Sequence, residues 1–301
     1  MLKNMDIAKL MDDFHDDDSC REALTKLRWP DGVTCPRCES KDIRNSYTRD
    51  QYDCGSCGYQ FSVTSGTIFH DSHLPLRKWF VAIFLIVEAK KGISANQLKR
   101  VLGVSYKTAW YLCHRIRAAM TNGTPYLMKG IIEVDETLVG GKRKHVGHGF
   151  RGNKVIVVGA AEREGKITLK VIDRADRATL HNFIKTNTDP NATAIFTDEW
   201  PAYKGIADDN TRHETVNHSI EEWVNGEVHT NSIENVWSLL KRSIMGSYHK
   251  VSVKHLDAYL DELEWRFNNR NNQYLFRDTL LKLIKADNLP YETLVSSEGV
   301  R

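Results

Sequence analysis

Four of the six cysteines form two pairs whose spacing is typical of a metal site. Cys35 and Cys38 make one C-x-x-C pair, Cys54 and Cys57 make the other, and fifteen residues separate the pairs. Each pair presents two thiolates to one ion, and the segment between them is long enough to form strands that bring the pairs together. Because four protein ligands leave no open coordination position, the pattern predicts one structural Zn²⁺ ion.

The residues around the second cysteine pair alternate as short strands do: Tyr52, Tyr59, Gln60 and Phe61. They predict a small β zinc ribbon. The alternative is two redox or disulfide pairs, but the sequence around them lacks a thioredoxin-like βαβ context. Cys20 and Cys113 stand alone, and we interpret them as ordinary buried thiols.

Acidic side chains form the second chemical pattern. Asp135 ends one apolar strand and Asp198 ends another. The elements that position them follow in the order strand, strand, strand, helix, strand, over residues 130–137, 154–161, 166–172, 178–186 and 192–198. Three antiparallel strands, a crossover helix and a returning strand are the ribonuclease-H-like order. In such a sheet the ends of the first and fourth strands lie close together, so the two carboxylates could share divalent metal ions.

A helix over residues 229–242 supplies a third acid. Its apolar stripe consists of Ile233, Val236, Trp237 and Leu240. A different stripe of the same helix carries Asn231, Glu234, Ser238 and Lys241.

Three other acids are rivals for the two aspartate positions, namely Glu133, Glu136 and Glu199. Since a strand alternates its faces, Glu133 can project beside Asp135, whereas Glu136 should point away.

A basic segment precedes the acids. Residues 61–125 hold nine Lys and Arg against only Asp71 and Glu88. Pro75 and Gly92 bound a first, buried helix, Ser94 and Gln97 form a capping box for a second, and a turn at 103–105 leads to a third over 106–120. This order predicts a helix-turn-helix, although a helical hairpin with a solvated basic face gives the same pattern.

The third helix carries side chains suited to phosphate and base-edge contacts, of which we predict three as DNA-binding: Lys107, Arg115 and Arg117. A glycine-rich run over 140–152 adds a loop whose basic residues also suit DNA: Lys142, Arg143 and Lys144. A solvated hairpin tip is an equally good interpretation of this loop.

Three phrases of the sequence resemble DDE transposases of bacterial insertion sequences, in particular the group with an N-terminal zinc ribbon: VDET at 134–137, FTDEWPAY at 196–203 and HTNSIENVWSLLKR at 229–242. The thirty-five residues between Asp198 and Glu234 are similar to the spacing in retroviral integrases. The similarity covers nearly the whole chain from Cys35 to about Asn271.

The resemblance implies a ribonuclease-H-like nuclease in which Asp135, Asp198 and Glu234 hold two Mg²⁺ or Mn²⁺ ions and Lys241 lies near the phosphate of the transposon end. Some relatives use Asn as the third metal-associated residue, so Asn231 could share or take the role of Glu234. Two such ions would support strand cleavage and then attack of the freed 3′-hydroxyl on target DNA. The implied partners are double-stranded DNA, as transposon ends and target, and at least a second copy of the chain.

The amino-acid composition is consistent with a DNA transposase but does not by itself indicate one. With 301 residues, 41% hydrophobic and 27% charged, we expect two or three globular domains. We divide the chain into an N-terminal helical segment, a zinc ribbon, a helix-turn-helix domain, a catalytic domain and a C-terminal helical tail, over 1–29, 30–65, 70–122, 128–272 and 273–301.

The first twenty residues are acidic and lack an apolar core, and no apolar run approaches the ~18 residues of a membrane span. We therefore expect a bacterial cytoplasmic protein associated with the nucleoid and not with a membrane. Two alternatives remain open, a domesticated DNA-binding regulator that no longer cleaves and a ribonuclease-H-like nuclease without strand transfer.

Overall fold

The computed structural model describes residues 2–46, 50–121, 126–140, 154–207, 211–216 and 229–296. The chain forms two compact units. One unit joins Met1–Thr121 to Asn269–Arg301, and the other spans Asn122–Asn268. This multidomain α+β arrangement, with a small ribbon, a helical segment and a mixed sheet, is the predicted fold class.

The first unit begins with two capped helices and a small sheet. Helices α1 (Ile7–Asp13) and α2 (Asp17–Arg28) start at Asp6 and Asp16, whose side chains accept backbone N–H groups of the first turn. Strands β1 (Ile43–Ser46), β2 (Gln51–Cys54) and β3 (Gln60–Phe61) form an antiparallel sheet in that order. The predicted ribbon is therefore present.

Three helices follow the ribbon, α3 (Leu76–Glu88), α4 (Ala95–Leu102) and α5 (Tyr106–Met120). The Ser94 hydroxyl caps α4 by accepting the Gln97 N–H, and Gly103 ends α4 with φ 62°. Ser105 caps α5 in the same way. Helix α5 has the predicted bounds, and its first residue follows directly from the local cap at Ser105.

The second unit is built on a five-stranded mixed sheet. Its elements are β4 (Ile131–Val139), β5 (Val155–Glu162), β6 (Ile167–Ile172), α6 (Arg177–Asn187), β7 (Ala194–Asp198), β8 (Arg212–Val216), α7 (Asn231–Ser243), a π-helical turn (Ile244–Tyr248) and α8 (Leu256–Asn268). The strand order is β6-β5-β4-β7-β8, antiparallel through β4 and parallel from β4 to β8. This is the predicted ribonuclease-H-like sheet, extended by β8, which the sequence analysis missed.

Each face of this sheet packs on helices. Ile132 and Val134 of β4 join Leu180 and Phe183 of α6 in one core cluster. The other cluster combines β5 and β6 with the apolar stripes of two helices, and contains Val157, Ile167, Leu169, Ile233, Val236, Trp237, Leu240, Leu256, Leu260 and Leu263. The predicted stripe of α7 is therefore buried, and the leucines of α8 belong to the core.

Helix α8 also covers the open edge of the sheet. The Asn268 side chain accepts the N–H of Ile167 and donates to its carbonyl, and Glu264 accepts the N–H of Leu169. These bonds replace a missing neighbouring strand along β6.

Two further helices, α9 (Leu275–Lys285) and α10 (Tyr291–Val295), belong to the first unit. Phe276 of α9 packs edge-on against Phe80 and Phe84 of α3 and lies beside Phe14. Residues 273–296 are thus part of the core of that unit and not a separate tail. Within the described part of the chain, no helix is long and apolar enough to cross a membrane.

Candidate active site and metal centre

The four paired cysteines meet at one end of the ribbon. The Cys35 and Cys57 sulfurs are 3.7 Å apart, those of Cys38 and Cys54 are 3.5 Å apart, and all four lie within 4.8 Å of one another. A tetrahedral ion with Zn–S bonds of ~2.3 Å separates its sulfurs by about 3.8 Å. The cluster therefore fits Zn²⁺ in donor type, number and spacing.

Both cysteine pairs lie on the same kind of turn. Glu39 and Gly58, each directly after the second cysteine of a pair, adopt φ values of 60° and 68°. Each donates its N–H over 2.9 Å to the carbonyl of the first cysteine. The core around these turns is small, since among the described residues its buried cluster contains only Cys35, Cys54 and Phe61.

Asp135 and Asp198 lie on neighbouring parallel strands. The register of β4 and β7 pairs Glu133 with Phe196. Asp135 and Asp198 each follow that last pair by two residues, and Asp198 is the last residue of β7. Asp198 ends its strand, as predicted, whereas Asp135 lies in the middle of β4, which continues to Val139, so the prediction that Asp135 ends a strand is wrong.

Trp237 of α7 contacts Asp135 directly. Its indole Nε1 donates to Oδ2 of Asp135 over 2.8 Å. Gly159 pairs with Asp135 in the sheet, and a Cβ atom at Gly159 would lie 2.5 Å from the Trp237 ring and 2.9 Å from Leu169. A glycine is required there so that the indole can reach the carboxylate.

Glu133 holds the beginning of α7. Its fully buried carboxylate accepts the backbone N–H groups of Ser232 (2.6 Å) and Ile233 (3.1 Å) and the Ser232 hydroxyl (3.0 Å). Arg163 donates to it over 2.9 Å, and Nδ1 of His229 lies 3.3 Å away. Glu133 projects on the same face as Asp135, as predicted, but its carboxylate caps a helix, a role the sequence did not reveal.

Glu136 points to the opposite face of the sheet, as alternation predicted, and accepts a hydrogen bond from the buried Tyr203 hydroxyl. Burial is the main cause that raises the pKa of Glu136 to about 7; the Tyr203 hydrogen bond opposes the increase, and the charges of Asp135 and Asp198 contribute to it. Although Glu136 faces away, its charge therefore adds to the negative potential of the site.

The pKa of Asp135 indicates that its carboxylate lies near other acids. Burial raises its pKa to about 6, against the opposing effect of the Trp237 hydrogen bond, and the charges of Asp198 and Glu234 contribute to the increase. Glu234 lies in the first turn of α7 and accepts a hydrogen bond of 3.1 Å from the Thr230 hydroxyl. Asp135, Asp198 and Glu234 are all partly buried.

The charges of the three carboxylates affect one another, but the carboxylate oxygens do not form a tight cluster. Among the described residues, the four cysteines are the only group of three or more His, Cys, Asp or Glu side chains whose ligand atoms all lie within 4.8 Å of one another. A divalent cation would relieve the mutual repulsion of carboxylates in a half-buried site. Carboxylate oxygens are the ligands that Mg²⁺ and Mn²⁺ prefer. The donor chemistry fits such ions. Asn231, the first residue of α7, and Lys241 in its last turn are both exposed.

Comparison with known proteins agrees with this architecture. Residues 127–268 match the family model of the ISXO2-like transposase domain, and residues 15–60 match that of the transposase zinc-ribbon domain. Over 264 residues the chain is 30% identical to an uncharacterized protein in transposable element ISH50 of Halobacterium salinarum, covering 81% of this chain and 88% of that protein. The chain belongs to the ISXO2-like transposase family.

Solved structures with a similar arrangement are more distant. The HTLV-2 integrase catalytic core domain is 14% identical over 47% of this chain and 86% of that chain, with a TM-score of 0.28. The protein of the Mos1 strand transfer complex is 11% identical over 74% of this chain and 78% of that chain, with a TM-score of 0.31. Membership of the transposase family rests on the sequence matches.

In this ISXO2-like transposase, the third helix of the predicted helix-turn-helix is oriented differently from our expectation. Arg115 and Arg117 are 3% and 2% exposed. Arg115 donates to the carbonyl of His70 and to the Asn288 side chain, 2.6 and 3.0 Å away. This corrects the prediction that the two arginines face DNA, since both are enclosed by their own unit.

Lys107 alone of the three predicted residues is exposed, with its ammonium 4.3 Å from the centre of the Tyr291 ring. The second predicted basic group, Lys142, Arg143 and Lys144, lies outside the described residues.

Proposed function

We propose that this protein is an active DNA transposase, which binds the terminal inverted repeats of its element and performs metal-dependent strand cleavage and strand transfer at one site. The observation that supports the proposal is that Asp198 and Glu234 lie near enough to Asp135 for their charges to raise its pKa. Two of these acids occupy matching positions on adjacent parallel strands, and the third lies on a helix anchored to the first strand.

The three acids are proposed to hold two Mg²⁺ or Mn²⁺ ions, with Asn231 as the competing third ligand. Such ions, when bound, activate a water and stabilise the leaving 3′ oxygen of a phosphodiester. The protein's own contribution is positional. Trp237 fixes the orientation of the Asp135 carboxylate, and Glu133 fixes the first turn of α7, which carries Glu234.

Lys241 is exposed and supplies positive charge in the last turn of α7, on the helical stripe that also carries the partly buried Glu234. We propose that it binds a phosphate of the transposon end. Because it holds DNA and not metal, it contributes mainly to substrate affinity.

The ribbon is proposed to hold one structural Zn²⁺ through Cys35, Cys38, Cys54 and Cys57. Its apolar core is too small to stabilise the fold alone, so metal binding supplies much of its folding free energy.

DNA recognition by the helical segment is proposed to use the end of α5 that is exposed. Lys99, Arg100 and Lys107 are exposed around the turn between α4 and α5, together with Val101 and Tyr106, which are 54% and 49% exposed. The N-terminal residues of a recognition helix are those that reach base edges. Replacing the three basic residues by Gln should reduce the salt dependence of binding, whereas unchanged affinity and slope would favour the helical-hairpin interpretation.

Strand transfer requires two element ends to be held together, so we propose at least a dimer on DNA. The direct test is incubation of the purified protein with Mg²⁺ and a duplex that carries the element's end, followed by separation of products on a denaturing gel. A nick and a joined product are expected. A nick without joining would leave only a nuclease, and the absence of both would identify a regulator that binds without cleaving.

A further inference from the structure

The segment that follows the catalytic helix has an unusual charge. Residues 235–256 contain four Lys and Arg, at positions 241, 242, 250 and 254, and not a single Asp or Glu. Chain-wide, 42 basic residues are balanced by 39 acidic ones, so this stretch of 22 residues is a strong local excess. Arg242, His249 and Lys250 of this stretch are exposed.

The backbone of this segment is held in a defined shape. Helix α7 continues directly into the π-helical turn Ile244–Tyr248, and His249 leaves the turn with φ 59°. The Tyr248 hydroxyl donates over 2.7 Å to Glu262, a fully buried residue of α8, and its ring packs edge-on against Tyr259 at 4.6 Å. The turn is therefore anchored on α8, and its outer side is presented on a fixed support.

On the outer side of the turn, contacts within the chain explain neither the exposure of Met245 nor the glycine at position 246. Met245 is 77% exposed, more than any other large apolar side chain among those described. Gly246 does not have a positive φ, and a Cβ atom there would meet nothing within 4 Å. Neither conformation nor internal packing requires glycine at this position, although glycine weakens a helical turn relative to alanine. Because glycine has no side chain, a glycine in open space allows the backbone of another molecule to approach closely.

We propose that Arg242, Met245, Gly246 and Lys250 form a DNA-binding surface on the second unit, separate from the α4–α5 turn. Its ligand is the sugar-phosphate backbone of duplex DNA next to the cleaved phosphate. Arg242 and Lys250 pair with phosphates, Gly246 admits the DNA backbone, and Met245 contacts sugars or a base step, as apolar side chains do in other DNA complexes. Because Glu234 and Met245 lie on one continuous helical segment, the contact falls within one turn of duplex, ~34 Å, of the cut.

This inference rests on the proposed function, because it assumes a DNA substrate. The test uses the full chain with its Zn²⁺ and two duplexes, one with the element's end and one of unrelated sequence. Gly246→Ala should raise the melting temperature, since alanine favours helical turns, and should weaken binding of both duplexes about 3- to 10-fold. Opposite changes in stability and affinity are the result that a purely structural glycine would not give.

The charged residues provide an independent measurement. Arg242→Gln and Lys250→Gln should each reduce the slope of log affinity against log salt by about 1. The matched control is Lys185→Gln, an exposed lysine of α6 on the other face of the sheet, whose slope should equal that of the wild type. If Gly246→Ala lowers the melting temperature, the two charge variants decide the proposal.

Unchanged affinity and slope in the variants, while the wild-type protein still cleaves, would overturn this surface and leave the proposed function intact. A wild-type protein that neither binds nor cleaves would overturn both. A change in oligomeric mass at unaltered DNA affinity would assign the surface to a second copy of the chain and overturn the DNA proposal.

Discussion

The indole N–H of Trp237 and the carboxylate of Asp135 are joined by a hydrogen bond of 2.8 Å that links helix α7 to strand β4. Glu133 makes a second link one turn earlier, through the backbone of Ser232 and Ile233. Helix α7 is therefore fixed to β4 at two points, and the position of Glu234 relative to Asp135 is determined by both.

Trp237→Phe removes the donor but keeps most of the buried ring. We expect DNA binding and the melting temperature to change little, while the cleavage rate falls roughly 10- to 100-fold, as is typical when a partner of a metal ligand is lost. The Mg²⁺ concentration for half-maximal cleavage should rise, which a purely structural role of the indole would not cause. Normal cleavage at the normal Mg²⁺ requirement would show that the hydrogen bond has no functional role.

Glu133→Ala leaves Arg163 and the first N–H groups of α7 without their acceptor. Removing one partner of a buried, paired charge destabilises a protein by roughly 3–5 kcal/mol, so a large loss in the free energy of unfolding is expected. Glu133→Gln, which can still accept one N–H, should lose less. The control is Glu164→Gln, an exposed neighbour of Arg163, and equal stability of the Glu133 and Glu164 variants would rule out the anchoring role.

Cys54→Ser should remove zinc from the protein and unfold the ribbon. Zinc content measured by metal analysis should fall from one ion per chain to near zero, and binding to the element's end should weaken. Cys20→Ala alters a buried thiol outside the cluster and should retain the zinc. A full complement of zinc after replacement of all four cluster cysteines would contradict the assignment.

The raised pKa values of Asp135 and Glu136 give stability a pH dependence. Their folded-state values of about 6 and about 7 lie above the ordinary 3.8 and 4.5, so the folded protein binds more protons than the unfolded chain. This contribution is fully present below about pH 4 and is lost as pH rises through 6 and 7, with a size on the order of 2–3 kcal/mol for Asp135.

The measurement is thermal unfolding between pH 5.5 and 7.5 without added Mg²⁺. Asp135→Asn should show a flatter decline than the wild type, and Mg²⁺ should stabilise the wild type most at the upper end of this range, where the acids are ionised. Parallel profiles for the two proteins would mean that Asp135 titrates normally.

Local sequence signals predicted much of the framework. The start of α5, the cap at Ser94 and the approximate positions of the strands within residues 130–198 follow from capping residues and short apolar runs, which act over a few positions. Strand β8 was missed because Arg212–Val216 has little apolar character, and within the described part of the chain β7 is its one neighbouring strand.

The contacts that define the site depend on long-range packing. The burial of Arg115 results partly from Asn288, which is 173 residues away in sequence, and the helix-capping role of Glu133 requires a partner 99 residues downstream. Neither is visible in spacing or composition. Gly159 had a detectable signal, a glycine inside an otherwise apolar strand, but its partner Trp237 could not be identified from sequence.

The proposed active site consists of three acids, and the most direct test is Mg²⁺-dependent cleavage of end-containing DNA by the variants Asp135→Asn, Asp198→Asn, Glu234→Gln and Asn231→Ala. We predict that the two aspartate variants and Glu234→Gln bind DNA normally but neither nick nor join it, because one site performs both steps and each change removes an anionic ligand. Asn231→Ala should retain nicking. Loss of nicking in Asn231→Ala with nicking intact in Glu234→Gln would transfer the third position to Asn231, and nicking by either aspartate variant at the wild-type rate would contradict the proposed active site.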